Sequence, residues 1–134
     1  MAEADPDMVR EAREHLRERE RRRFAEREEL RARVIEDARQ AIRRRAPEIP
    51  SLRAAYLIGS VTKPGRFGPS SDVDVTVACA DPADETRLWR MLEDDLRRPV
   101  DVRPLTGPLV AEARERGECV YARDDAPAGA PDPG

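Results

Sequence analysis

Histidine is nearly missing from these 134 residues: His15 is the only one, and it lies in a run of Arg and Glu that reads as a charged helix. Catalysis by imidazole is set aside on that ground. Cysteine is scarce too. Cys79 and Cys119 both fall in apolar runs and read as buried thiols. Two distant cysteines are weak grounds for a disulfide and none for a zinc site. No apolar stretch approaches the ~20 residues of a membrane span. The N-terminus is too charged for a secretory signal, so a cytoplasmic protein with no membrane partner is expected. An excess of either charge is also lacking: 25 basic against 28 acidic residues leave a net charge of −3. That balance argues against a dedicated nucleic-acid binder. Lysine is almost absent, with Lys63 the only one among the 25 basic residues. An Arg-, Ala- and Pro-rich composition reads as genome base content more than as function.

What is present is charge, at 40% of the chain, and a length that fits one small domain with extensions. Asp5-Pro6 is a helix start, with Asp as N-cap and Pro at the first helical position. From there to about Arg45 no further Pro and no Gly interrupts, which predicts one long helix over residues 5–46. Leu30, Val34, Ile35, Ala38, Ala41 and Ile42 keep helical spacing and should pack on the domain. Val9, Ala12 and Leu16 make a weaker stripe. Arg17 to Glu29 holds six Arg and five Glu, so a basic RNA-binding arm has almost no local charge excess behind it. A solvated helix with Glu–Arg pairs one turn apart is the favoured reading. A partner helix or a second copy of the chain could cover Leu16 and Phe24.

The chain is organised around Ala55 to Ala80. An apolar run ends in Gly59-Ser60, a Gly-, Pro- and Ser-rich loop follows, and Ser71-Asp72-Val73-Asp74 opens a second apolar run. Both runs read as buried neighbouring strands. Alternation along a strand sets Asp72 and Asp74 side by side. Two such carboxylates repel unless a cation sits between them, and hard oxygen ligands suit Mg²⁺. Asp81 to Asp84 reads as a turn with Asp84 as N-cap of a helix to Leu96 that buries Leu88, Trp89, Leu92 and Leu96. Val100-Asp101-Val102 predicts a third strand with Asp101 facing away from its valine neighbours. A helix from about Leu109 to Arg116, closed by Gly117, and a short strand from Glu118 to Arg123 complete the domain. Residues 1–4 and 124–134 are expected to be disordered.

Gly59-Ser60, ten residues, then Ser71-Asp72-Val73-Asp74 resembles the signature of the DNA polymerase β-like nucleotidyltransferase superfamily, and within it the minimal nucleotidyltransferase branch. The resemblance runs from about Leu52 to Tyr121. It implies an α+β fold: a small mixed β-sheet with helices packed on one face, preceded here by the long N-terminal helix. The nucleotidyltransferase domain is then placed at residues 47–123. It implies transfer of a nucleoside monophosphate, AMP by preference, from an NTP to a hydroxyl acceptor. Asp72, Asp74 and Asp101 would be the catalytic carboxylates and the ligands of two Mg²⁺ ions. Gly59 and Ser60 would hold the β- and γ-phosphates, with Ser71 counted in the same nucleotide-binding set. The family pattern has an Arg-Gly pair soon after the serine, whereas this chain has Lys63-Pro64-Gly65. Pro64 disfavours helical geometry at Lys63 and removes a donor, so the phosphate-binding helix is expected to be short or replaced by a turn, with Lys63 and Arg66 supplying charge. Arg66, Phe67 and Gly68 read equally well as an ordinary flexible surface loop. Small members of the family often work beside a second chain, such as a HEPN-type toxin, while others modify aminoglycosides or RNA ends; this chain has no obvious acceptor-binding domain of its own. The partner is therefore expected to be a nucleotide together with such a protein, or a second copy docked through the N-terminal helix. The second reading is a binding module that keeps the fold, has lost transfer, and acts through that helix.

Overall fold

A computed structural model describes residues 5–123; the disorder expected for residues 1–4 and 124–134 lies outside the described residues. Helix α1 (Pro6–Arg45) is 40 residues long and starts as its sequence dictates, with the Asp5 carboxylate accepting from Asp7 N–H at 2.9 Å. Pro47 then turns the chain through a short 3₁₀ segment, Ala46–Glu48. The remaining elements are β1 (Leu52–Ile58), β2 (Val73–Cys79), α2 (Pro82–Leu96), β3 (Val100–Pro104), α3 (Pro108–Arg116) and β4 (Glu118–Ala122). They build a four-stranded mixed sheet in the order β3-β2-β1-β4. β1 runs antiparallel to β2 and β4, while β2 and β3 are parallel and joined through α2. A parallel pair needs such a crossover.

β1 lies between two neighbours and is covered on both faces, so it reads LRAAYLI without polar alternation. A register irregularity between Leu52 and Ala54 rephases the strand. Leu52, Ala55 and Leu57 then join the main core, while Ala54, Tyr56 and Ile58 face a smaller cluster with Ala113 of α3. α1 and α2 cover the main face together, packing Val34, Ala38, Ala41, Ile42, Leu88 and Leu92 onto Val73, Val75, Val77, Val100 and Val102. α3 lies over β1 on the other face, so the expected one-sided helical layer holds for α1 and α2 only.

The C-terminal part of α1 is the part anchored to the sheet and α2. Arg39 grips Glu118 of β4 through two hydrogen bonds of 2.6 and 2.5 Å, and Arg45 grips Asp95 of α2 through two of 2.9 and 2.8 Å. Met8 and Leu16 in the other half remain largely exposed, and Phe24 about half so. Ile42→Ala, at a fully buried position, is expected to cost about 2–5 kcal/mol. Leu16→Ala should stay within about 0.5 kcal/mol. Urea unfolding of the two variants measures the contrast.

Three expectations need correcting. Asp81, and not Asp84, caps α2, accepting from Ala83 N–H at 2.9 Å. Asp84 instead accepts from the Ser51 amide and hydroxyl, which ties the helix to the entry of β1. Cys79 is half-buried against Ser51 Oγ, and Cys119 is exposed, because β4 is an edge strand in which Val120 alone is fully buried. Phe67 does not belong to a free surface loop. It is fully buried, with the Arg98 guanidinium 4.9 Å from its ring centroid. No helix among the described residues is long and apolar enough to cross a membrane.

Candidate active site

β1 ends by turning sharply at Gly59, whose φ of +74° only glycine adopts without strain. The turn is a single 3₁₀ segment, Gly59–Thr62, held by Thr62 Oγ1 donating to Gly59 O at 2.7 Å and anchored by the buried side chain of Val61. Of the short helix or turn expected before Pro64, the structure has a single short 3₁₀ turn, and Lys63 leaves it in extended geometry. Antiparallel register sets Asp74 opposite Ile58, so the carboxylate lies directly against the turn. A Cβ added to Gly59 would come within 2.4 Å of Asp74 Oδ2.

Parallel register sets Asp101 beside Asp74. Alternation buries Val73, Val75, Val100 and Val102 on one face and leaves the two carboxylates together on the other. Asp72 precedes β2 and is exposed, so strand alternation does not fix it beside Asp74 as expected. Its charge still reaches Asp74, however. Burial pushes the Asp74 carboxyl above its ordinary range, the negative charges of Asp101 and Asp72 push it further, and Arg103 opposes them. Glu112 on α3 adds to the same repulsion. Arg103 Nε donates to Asp101 Oδ2 at 2.7 Å, a cation already drawn to the acidic pair.

Gly59, Asp74, Asp101, Arg103, Leu109 and Glu112 line a small cleft of about 110 Å³ together with Ile58 and Val75. That volume admits an ion or a few waters, well short of the roughly 300 Å³ of a typical ligand pocket. A nucleotide would have to lie along the open loop outside it. On that loop Ser60 and Lys63 are half-buried and Arg66 is exposed. Ser71 Oγ accepts from Gly68 N–H at 2.9 Å, so this hydroxyl closes the loop on itself. Among the described residues no three His, Cys, Asp or Glu side chains are already gathered closely enough to hold a metal ion. Glu112 and Arg103 are the cleft residues that sequence reasoning passed over. Arg103 lies two positions after Asp101 on the same strand face, a spacing that could have revealed it.

The family model described as Polymerase beta, Nucleotidyltransferase matches residues 40–126. No curated protein matches this chain. Among solved structures, the fold is similar to a chain in a crystal structure of a toxin-antitoxin with AMP-PNP. The TM-score is 0.52 at 26% identity, over 62% of this chain and 71% of that one. A mutant MntA-HpeT toxin-antitoxin complex gives a TM-score of 0.54 at 22% identity, over 65% and 74% of the two chains. A tri-AMPylated Shewanella oneidensis HEPN toxin in complex with its MNT antitoxin gives 0.50 at 22% identity, over 67% and 73%. With the Gly-Ser turn, the paired strand carboxylates and a family match over most of its length, the chain belongs to the polymerase beta nucleotidyltransferase family.

Proposed function

We propose that this protein transfers AMP from ATP to a hydroxyl group of a partner protein of the HEPN toxin type, releasing pyrophosphate. The observation that carries this reading is the Asp74–Asp101 pair held against the Gly59 turn. This choice of nucleotide and acceptor class is supported by the AMP-PNP and tri-AMPylated complexes among the similar structures. Asp74 and Asp101, with the exposed Asp72 nearby, fit a divalent cation: burial first and then their repulsion raise the Asp74 carboxyl, and Arg103 already answers the charge of Asp101. When bound, Mg²⁺ would neutralise phosphate charge and lower the pKa of the acceptor hydroxyl.

The chain's own residues do the rest. Gly59, lacking a side chain, leaves room for the Asp74 carboxylate to lie against the turn, and the Ser60 hydroxyl donates to a phosphate. Lys63 and Arg66 add positive charge along the triphosphate. Asp101 accepts the proton as the acceptor oxygen bonds to the α-phosphorus. The bond from that phosphorus to the bridging oxygen breaks, and its electron pair leaves with pyrophosphate. α-Labelled ATP, Mg²⁺ and a HEPN-fold acceptor should give a labelled acceptor with wild-type protein and none when EDTA is added. Equal background label from wild type and Asp74→Asn would sink the proposal.

The exposed Met8 and Leu16 favour a second reading, a module that assembles through α1 without transfer. Calorimetry separates the two. A chain that self-associates through α1 yet gives no heat with ATP and Mg²⁺ supports the module.

A further inference from the structure

The loop that leaves the Gly59 turn is not shaped by the catalytic domain alone. Pro64 contributes no amide donor, and the next one, Gly65 N–H, donates to Glu28 Oε2 of α1 at 2.9 Å. Arg31, one turn further along α1, holds Glu28 with bonds of 3.0 and 2.8 Å and donates its third contact to Val61 O at 3.1 Å. Phe24, one turn before Glu28, lies so close that a Cβ on Gly65 would meet its ring at 2.9 Å. Positions 24, 28 and 31 share one helix face. Their contacts reach the loop at both ends of its Val61–Gly65 segment, across 30 to 37 residues of sequence. The Glu28 and Arg31 side chains are 25% and 19% exposed, the most sheltered of the ion pairs within α1. The Arg17–Glu29 stretch is thus not solvated all round, as its balanced charge suggested.

We infer that Phe24, Glu28 and Arg31 are positioning residues for nucleotide binding: α1 fixes the conformation of the Val61–Gly65 loop from behind, while Ser60 and Lys63 face the phosphates. This rests on the proposed function, since it takes that loop to be the one that meets a triphosphate. An acceptor must be present at position 28, but its charge is secondary for Gly65, because the amide of Gln also offers a carbonyl oxygen.

The test is equilibrium binding of a nonhydrolysable ATP analogue with Mg²⁺ to the full chain, alongside hydrogen exchange at the Gly65 amide. Glu28→Ala is expected to speed exchange at Gly65 and weaken analogue binding roughly tenfold, the scale of one charge-assisted hydrogen bond. Glu28→Gln keeps an oxygen for Gly65 N–H but loses one acceptor for Arg31, and should fall between Glu28→Ala and wild type in both. In turnover the Ala variant should show a raised KM for ATP with kcat little changed, the mark of lost ground-state binding. Wild-type binding of the analogue by Glu28→Ala overturns the inference alone. A wild-type protein that binds no analogue overturns it together with the proposed function.

Discussion

Asp74→Asn is expected to reduce AMP transfer by about a thousandfold or more while raising the melting temperature of the nucleotide-free protein. The loss follows from the position of this carboxylate, between the Gly59 turn and Asp101, where a cation would meet the phosphates. Removing a ligand of that kind forfeits several kcal/mol of transition-state stabilisation, and about 4 kcal/mol is a thousandfold in rate. The gain in stability has the opposite sign for a simple reason. Burial, then Asp101 and Asp72, hold the folded Asp74 carboxyl above its ordinary range. The folded chain therefore keeps that proton to a higher pH than the unfolded chain does. Its contribution is favourable below the unfolded carboxylate range and is lost as pH rises through the raised value. Asn carries no charge to strand in the cleft. Thermal melts in EDTA should show the variant more stable at pH 7, with the gap narrowing toward pH 4. A variant no more stable than wild type at pH 7 would mean that the acidic cluster is relaxed without a cation.

Gly59→Ala should abolish transfer by a different route. At φ +74° an alanine costs about 1–2 kcal/mol in backbone strain alone. Its methyl would also sit 2.4 Å from Asp74 Oδ2, so the carboxylate must swing out of the cleft. Gly107→Ala is the control, since Gly107 also has positive φ, at +56°, but nothing lies within 4 Å of an added Cβ. It should show only the backbone cost in urea unfolding and leave transfer intact. Combining Gly59→Ala with Asp74→Ala should cost less stability than the sum of the singles, because the second change removes the group the first one strikes. Strict additivity would show that the two residues do not touch.

The parts of this molecule that repeat were readable in its sequence. The Asp5-Pro6 start, the apolar spacing from Leu30 to Ile42 and the valines flanking Asp74 and Asp101 all announce their elements because one turn or one strand step determines them. The valine alternation around Asp101 also foretold that Asp101 and Asp74 would share a face, and parallel register makes them neighbours. What escaped depends on chain segments meeting at a distance. Phe67 stands alone among Gly, Pro and Ser and has no period to mark it as core, yet it is fully buried. Asp81 and Asp84 are both plausible caps by residue type, and the choice falls to Ser51, which captures Asp84 across 33 residues. Asp72 misses the alternation because β2 starts one residue after it, where Val73 N–H bonds Pro99 O. Glu28 looks like any other Glu in RERERRRFAEREE until Gly65 is seen to donate to it.

The anchoring of α1 also bears on the order in which the chain folds. This helix leaves the ribosome ahead of the sheet, and Glu118, which Arg39 grips, is made 79 residues later. Its half of the core is completed by strands that are themselves far apart in sequence. Contacts of such long separation form late and slowly. A freshly made α1 therefore has to hold its apolar stripe in solution until β4 arrives, and its dense Arg and Glu surface suits that wait.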